Sequence, residues 1–197
     1  MKKEYFEWIH SWCDKTTETD LPRVLLVGDS ITHAYQGLVR EGLSGVCYVD
    51  YIATSYAIDS KIYNVIIGDF IKDSNYDLVH FNHGLHGIHM SRRTYKSKMK
   101  KLLSKIPSKK VILTATTNVT ANNNKKPHRE WTKRVNERNE VLLELVKENG
   151  YFYDDLHAIS TKIPVEYRCG DGFHYTEDGS KLLAESVIAS IKSSLKK

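Results

Sequence analysis

Five short β-rich runs recur along this chain, and helical periodicity fills the stretches between and after them. The runs are RVLLVG (23–28), VCYVDYI (46–52), DLVHFN (77–82), KVILTAT (110–116) and YFYDD (151–155). They are too short for helices and rich in β-branched and aromatic residues. The first and fourth are almost continuously apolar, as strands covered on both faces are. Helical patterns occupy 31–42, 57–72, 91–105, 128–148 and 176–194. This alternation predicts an α/β fold, with a central parallel sheet of about five strands between helical layers. Ligands in such folds bind beyond the carboxyl ends of the strands. Function is therefore expected in the loops GDSITH, ATSYAID, NHGLHG and TTNVTANNN, and in the segment leading to GDGFH.

Within the helical patterns, Trp131, Val135, Leu142 and Leu145 share one face, Gly150 is a candidate stop and Thr176 a candidate N-cap. The 197 residues show no repeat and no low-complexity linker, so one domain over 1–197 is expected. A chain this long buries a core without staples. No apolar stretch approaches the roughly 20 residues of a membrane helix. MKKEYFEWIHSW at the start is interrupted by Glu4, Glu7 and His10 and reads as an amphipathic helix rather than an export signal. Three cysteines, Cys13, Cys47 and Cys169, show no C-x-x-C spacing, which points to a reducing cytoplasm. Cys47 is expected in the core, whereas Cys169 stands near a histidine motif and is a conceivable thiol nucleophile.

The net charge is +5, and much of the basic charge lies in RRTYKSKMKKLLSKIPSKK (92–110). Tyr95, Met99, Leu102, Leu103 and Ile106 recur there at helical spacing, so the lysines fill the solvated face of an amphipathic helix. No nucleic-acid recognition motif accompanies them, and neither nucleic acid nor membrane is expected as a partner. The oligomeric state has no signature. Dinucleotide and P-loop fingerprints are absent, as is the G-x-S-x-G elbow.

LVGDSITH (26–33) puts an acid and a small alcohol where a buried strand gives way to a helix. Helix capping alone explains most such pairs. A nucleophilic serine also needs a base, and the base an orienting group. DGFHYTEDG (171–179) supplies both, because Asp171 precedes His174 by three residues. In a tight turn the carboxylate accepts from one ring nitrogen, and the other is free to face Ser30. His80, His83, His86 and His89 recur every third residue and raise the alternative of a metal cluster. In a strand that spacing sends side chains to opposite faces, and Gly84 and Gly87 break any helix, so no metal site is assigned.

VGDSIT and DGFHYTEDG together resemble the SGNH (GDSL-type) hydrolase superfamily, in its block order and over about 22–190. The resemblance implies a three-layer α/β/α, flavodoxin-like fold and an esterase, lipase or carbohydrate deacetylase that needs no cofactor. It implies Ser30 as nucleophile, His174 as base and Asp171 as its orienting acid, with the Ser30 N–H in the oxyanion hole. The second block normally offers a glycine N–H; ATSYAID has none, and Ser55 is the candidate. The third block, normally G-x-N-D, reads NHGLHG. Aligning the strand puts Gly84 on the glycine and His86 on the asparagine, with Asn82 as the alternative donor. A similar N-x-G-L-H block, with a T-T pair after the fourth strand as in ATTNVT (115–120), marks one branch of the superfamily. Asp29 is expected to brace its loop, and Asp29, Gly84 and Thr117 are taken as substrate-binding. The expected substrate is a small-molecule acyl ester, with an O-acetylated sugar favoured. Acyl transfer to a sugar and a non-catalytic binding module on a degenerate hydrolase scaffold are the alternatives.

Overall fold

A computed structural model of the chain describes residues 3–107, 110–121, 124 and 126–196. Met1 and Lys2 of the expected N-terminal helix, Ser108 and Lys109 of the basic stretch, and Asn122, Asn123 and Lys125 of the loop after the fourth expected strand lie outside the described residues.

The elements run β1 (Ile9–Trp12), β2 (Arg23–Gly28), α1 (Ser30–Gly42), β3 (Tyr48–Thr54), α2 (Lys61–Asp73), β4 (Leu78–Asn82), α3 (Arg92–Leu103) and β5 (Lys110–Thr114). The two-residue strands β6 (Thr120–Ala121) and β7 (Lys126–Pro127) follow, then α4 (Arg129–Asn149), β8 (Phe152–Asp154), α5 (Leu156–Lys162), a 3₁₀ turn (Val165–Tyr167) and α6 (Glu177–Leu195). The main sheet has the order β1-β3-β2-β4-β5-β8, and every pairing in it is parallel except β1 with β3. The fold is thus a mostly parallel six-stranded sheet flanked by helices.

Burial on both faces explains the apolar runs. Val24 and Leu26 of β2 pack with Ile31, Tyr35 and Val39 of α1 and with Leu183, Val187 and Ile191 of α6. Leu25 and Val27 point the other way, toward Ile67 of α2, Met99 of α3 and Leu145 of α4. The period of two along a strand makes this division. Cys47 lies in the first of these cores. Gly150, with φ 70°, stops α4, and the Thr176 hydroxyl caps α6.

The chain passes from β2 to β3 on one side and then to β4 on the other. β2 is therefore the point where the winding reverses, and the loop after it opens into a crevice between its neighbours. Ser30 stands at that point.

The N-terminal segment departs from the expected helix. Ile9–Trp12 pairs antiparallel with β3, with Ile9 opposite Thr54 and Trp12 opposite Tyr51. Trp8 and Trp12 are spaced as on a helix, but backbone pairing along an open sheet edge satisfies more N–H and C=O groups than an isolated turn would. Part of the basic face of α3 is neutralised by α4. Arg92 pairs with Glu140 and Glu144, Lys96 with Glu144 and Glu148, and Lys100 with Glu148, all on α4. No helix among the described residues is long and apolar enough to cross a membrane.

Candidate active site

Asp29, rather than Ser30, caps α1. The Asp29 carboxylate accepts the Ile31 N–H at 3.1 Å and the Leu85 N–H at 3.4 Å. Ser30 is then the first residue of the helix, and its hydroxyl is released from capping. The N–H at such a position has no intrahelical acceptor, and the helix dipole there favours negative charge.

The segment before α6 brings the histidine to this serine. His174 Nε2 lies 2.8 Å from Ser30 Oγ, and His174 Nδ1 lies 2.6 Å from Asp171 Oδ2. With the proton on Nδ1, that nitrogen donates to the carboxylate and Nε2 accepts from the Ser30 hydroxyl. The other Asp171 oxygen accepts the Phe173 and His174 N–H groups at 2.9 and 3.0 Å. Burial works to raise the Asp171 carboxyl, but these donors and the His174 ring outweigh it and hold the group below its ordinary range. Cys169 takes part only through its backbone, which donates to the His174 carbonyl at 2.9 Å.

The turn depends on Gly172, whose φ is 82° and where a Cβ would come within 2.1 Å of the Thr120 carbonyl oxygen. The small β6–β7 hairpin sits behind it. The Thr120 N–H donates to the Gly172 carbonyl at 2.9 Å, and the Asn124 amide donates to the Cys169 carbonyl at 3.0 Å. The loop after β5 thus supports the histidine turn, a role its sequence does not signal.

Ser30 and His174 open into a cavity of about 300 Å³ shared with Glu4, Leu85, His86, Ile88, Trp131 and Phe173. Trp131 and Phe173 meet edge to face at 4.9 Å, so most of the wall is apolar. A larger depression of about 580 Å³ lies over α3 and α4, shares none of these residues and is lined mainly by paired charges.

The two candidate side-chain donors separate. Asn82 is buried, and its amide donates to the Tyr35 hydroxyl at 3.2 Å. The His86 ring lines the cavity, with Nδ1 2.8 Å from the Glu4 carboxylate. The loop that carries His86 is held by Arg138 of α4. Its guanidinium donates to the carbonyls of Gly84, His86 and Gly87, the last two at 3.0 and 2.6 Å. Arg138 is only 2% exposed and lies over the Tyr95 ring at 4.8 Å. The adjacent Asn139 clamps Thr116 by both backbone groups, at 2.8 and 3.1 Å. Both residues fall on the apolar stripe of α4 between Val135 and Leu142, which is the signal in the sequence that could have found them.

Four expected assignments are corrected. The Ser55 N–H donates to the Trp8 carbonyl at 3.2 Å, toward the β1 edge, and is not free for an oxyanion. Asp29, Gly84 and Thr117 are buried and do not line the cavity. Both Asp29 oxygens are engaged by the backbone, and Gly84 is covered by Thr116, whose hydroxyl would collide with any Cβ there. Asp29 braces its loop, as expected, and Gly84 lets Thr116 pack closely behind the site.

The histidine series diverges. His80 faces Asp154 and Thr114, His86 faces Glu4 and His89 faces Asp59. Among the described residues no group of three or more such side chains is placed to hold a metal ion. His83 is buried against Tyr63 with both ring nitrogens unpartnered, and desolvation is the main cause that pushes it down to about 4. An unfolded histidine titrates near ~6.5. Between these values the unfolded chain binds a proton that the folded chain refuses, so stability is lost as pH falls through that window. The expected slope from this residue is about 1.4 kcal/mol per pH unit, with no contribution above the window. Chemical denaturation from pH 7 to 4.5 should show His83→Leu with the shallower decline; parallel declines would refute a neutral, buried His83.

No family model matches the sequence, and no curated protein matches it either. Solved structures do. The lipase/acylhydrolase from Enterococcus faecalis aligns over 87% of this chain and 96% of its own, with a TM-score of 0.70 and 19% identity. A protein from Slackia heliotrinireducens described as an SGNH hydrolase aligns over 87% and 100%, with a TM-score of 0.66 and 16% identity. Axe2, an acetylxylan esterase from Geobacillus stearothermophilus, aligns over 86% and 94%, with a TM-score of 0.68 and 15% identity. The chain shares the fold of these hydrolases.

Proposed function

We propose that the protein is a serine esterase that removes small acyl groups, O-acetyl groups on carbohydrate being the favoured substrate. The observation that carries this reading is the continuous relay from Asp171 through His174 to Ser30, 2.6 and 2.8 Å per step, opening on a small apolar cavity. Ser30 Oγ attacks the acyl carbonyl while His174 Nε2 takes its proton. The imidazolium then protonates the leaving alcohol, and water attacks the acyl-enzyme with His174 again as base. Asp171 holds the tautomer throughout. The oxyanion meets the Ser30 N–H, aided by the α1 dipole, and the His86 ring. The fold neighbours support the ester substrate, and the acetylxylan esterase among them supports acetylated sugar.

A fluorophosphonate probe tests the reading. Stoichiometric labelling at Ser30, with acetate released from acetylated oligosaccharides, is the expected result. An inert, folded protein would favour a binding module, and acetyl passing to sugar rather than water would favour a transferase.

His86 rather than Asn82 is assigned as the side-chain donor, because only His86 reaches the cavity. Losing one preorganised donor lowers turnover by about 10²–10³. His86→Ala is expected to lose kcat on that scale with KM nearly constant, and His86→Asn to recover part of it. Asn82→Ala should act on stability, by removing one of the two hydrogen-bond partners of the buried Tyr35 hydroxyl, which keeps Thr32 Oγ1 at 3.0 Å. Normal kcat in His86→Ala with a collapse in well-folded Asn82→Ala would transfer the role to Asn82.

A further inference from the structure

We propose that Glu4, in the segment before β1, completes the site as a positioning residue. It binds His86 Nδ1 and fixes the ring as a cationic donor with two N–H groups, one for Glu4 and one for the oxyanion. The proposal rests on the reading of His86 as an oxyanion donor.

A carboxylate only accepts, so the 2.8 Å contact puts a hydrogen on His86 Nδ1. In a neutral imidazole the other nitrogen would then carry a lone pair, which would repel an oxyanion. Only the imidazolium offers a second N–H. Glu4 is therefore useful to His86 as a donor only if the ring is charged.

The surroundings favour that charge. Burial works to lower the His86 value, but the Glu4 carboxylate, Asp29 and Glu7 outweigh it and raise the group above its ordinary range. The other ring beside it, His83, is stacked at 5.8 Å and kept neutral by its own burial, so it adds no competing charge at neutral pH. The Arg138 guanidinium is bonded to the His86 carbonyl rather than to the ring. The His86 side chain is 14% exposed and that of Glu4 46%, so water screens the pair from the Glu4 side while the ring itself stays largely covered.

The chain before β1 holds Glu4 there by a ladder on the end of β3. The Glu4 N–H donates to the Glu7 carboxylate at 3.1 Å, and the other Glu7 oxygen accepts from the Ser55 hydroxyl at 2.9 Å. The Ser55 hydroxyl also accepts the Trp8 N–H at 2.9 Å, while the Trp8 carbonyl accepts from the Thr54 hydroxyl at 2.6 Å and from the Ser55 N–H. Ser55 thus anchors the segment that delivers Glu4. The strand at the sheet edge carries a residue to a cavity that the sequence assigned entirely to later loops.

The test is the pH dependence of kcat for 4-nitrophenyl acetate, corrected for spontaneous hydrolysis, in wild type, Glu4→Gln, His86→Asn and His86→Ala. Wild type is expected to lose kcat on the alkaline side as His86 deprotonates. Glu4→Gln keeps a hydrogen-bonding group but not the charge, and should move that limb about one unit toward lower pH. This reads as an about tenfold lower kcat on the alkaline flank, with KM and melting temperature nearly unchanged. His86→Asn should lack the limb. A Glu4→Gln limb identical to wild type, with kcat lost in His86→Ala, overturns the role of Glu4 and leaves His86 standing. Normal kcat in His86→Ala overturns the His86 assignment and the proposal with it.

Discussion

Ser30→Ala is expected to lower kcat on the order of 10⁶-fold while the protein keeps its fold. Removing the hydroxyl removes the atom that would carry the acyl group, so His174 and the oxyanion donors have no bond to help form. Residual turnover would come from water in the same cavity, assisted by groups arranged for a different nucleophile. The structural effect should be slight, because the α1 cap is the Asp29 carboxylate, which the substitution does not touch. Loss of a true cap costs about 1 kcal/mol, and this change should cost less. The checks are single-turnover acetate release, fluorophosphonate labelling and a melting curve on the same preparation. A stable Ser30→Ala protein that still hydrolyses esters near the wild-type rate would end the serine-esterase reading.

The layered fold was legible because burial on two faces writes itself into short apolar runs. RVLLVG can hardly be anything but a central strand, and β2 occupies the expected residues. The contact of Asp171 with His174 was legible for a similar reason, since the turn that joins them is local. Most of the errors are non-local. Ile9–Trp12 becomes a strand only because β3, some forty residues later, offers an open edge. The same pairing consumes the Ser55 N–H, which the sequence alone placed in the oxyanion hole. Asn82 ends β4 and His86 lies in the loop that follows, and their side chains point to different places. The choice between them is made by Tyr35 on α1, which takes the asparagine amide, and by Arg138 on α4, which holds the histidine loop. Glu4 had no signal at all, because its meaning depends on a histidine 82 positions away.

Asp171→Asn is expected to lower kcat by about 10⁴ with little change in KM. One Asp171 oxygen accepts two backbone N–H groups and the other accepts from His174 Nδ1. An asparagine oxygen can keep the two backbone bonds, so the turn around Gly172 should survive. Its NH₂ group then faces Nδ1. That group donates, so Nδ1 must surrender its hydrogen to serve as acceptor, and the hydrogen moves to Nε2. A protonated Nε2 cannot accept the Ser30 proton, and the base is lost without any atom moving far. The developing imidazolium also loses the carboxylate that neutralises it. Leu85, Ile88 and Trp131 of the cavity wall lie clear of the change, and the Phe173 N–H keeps its acceptor in the asparagine oxygen, so KM should hold. Asp171→Ala makes the informative contrast. It releases the two backbone N–H groups as well, and should lower stability in addition to kcat. Steady-state kinetics and denaturation of both variants separate the effects. Turnover near wild type in a folded Asp171→Asn protein would show that another group orients His174, and would remove Asp171 from the relay.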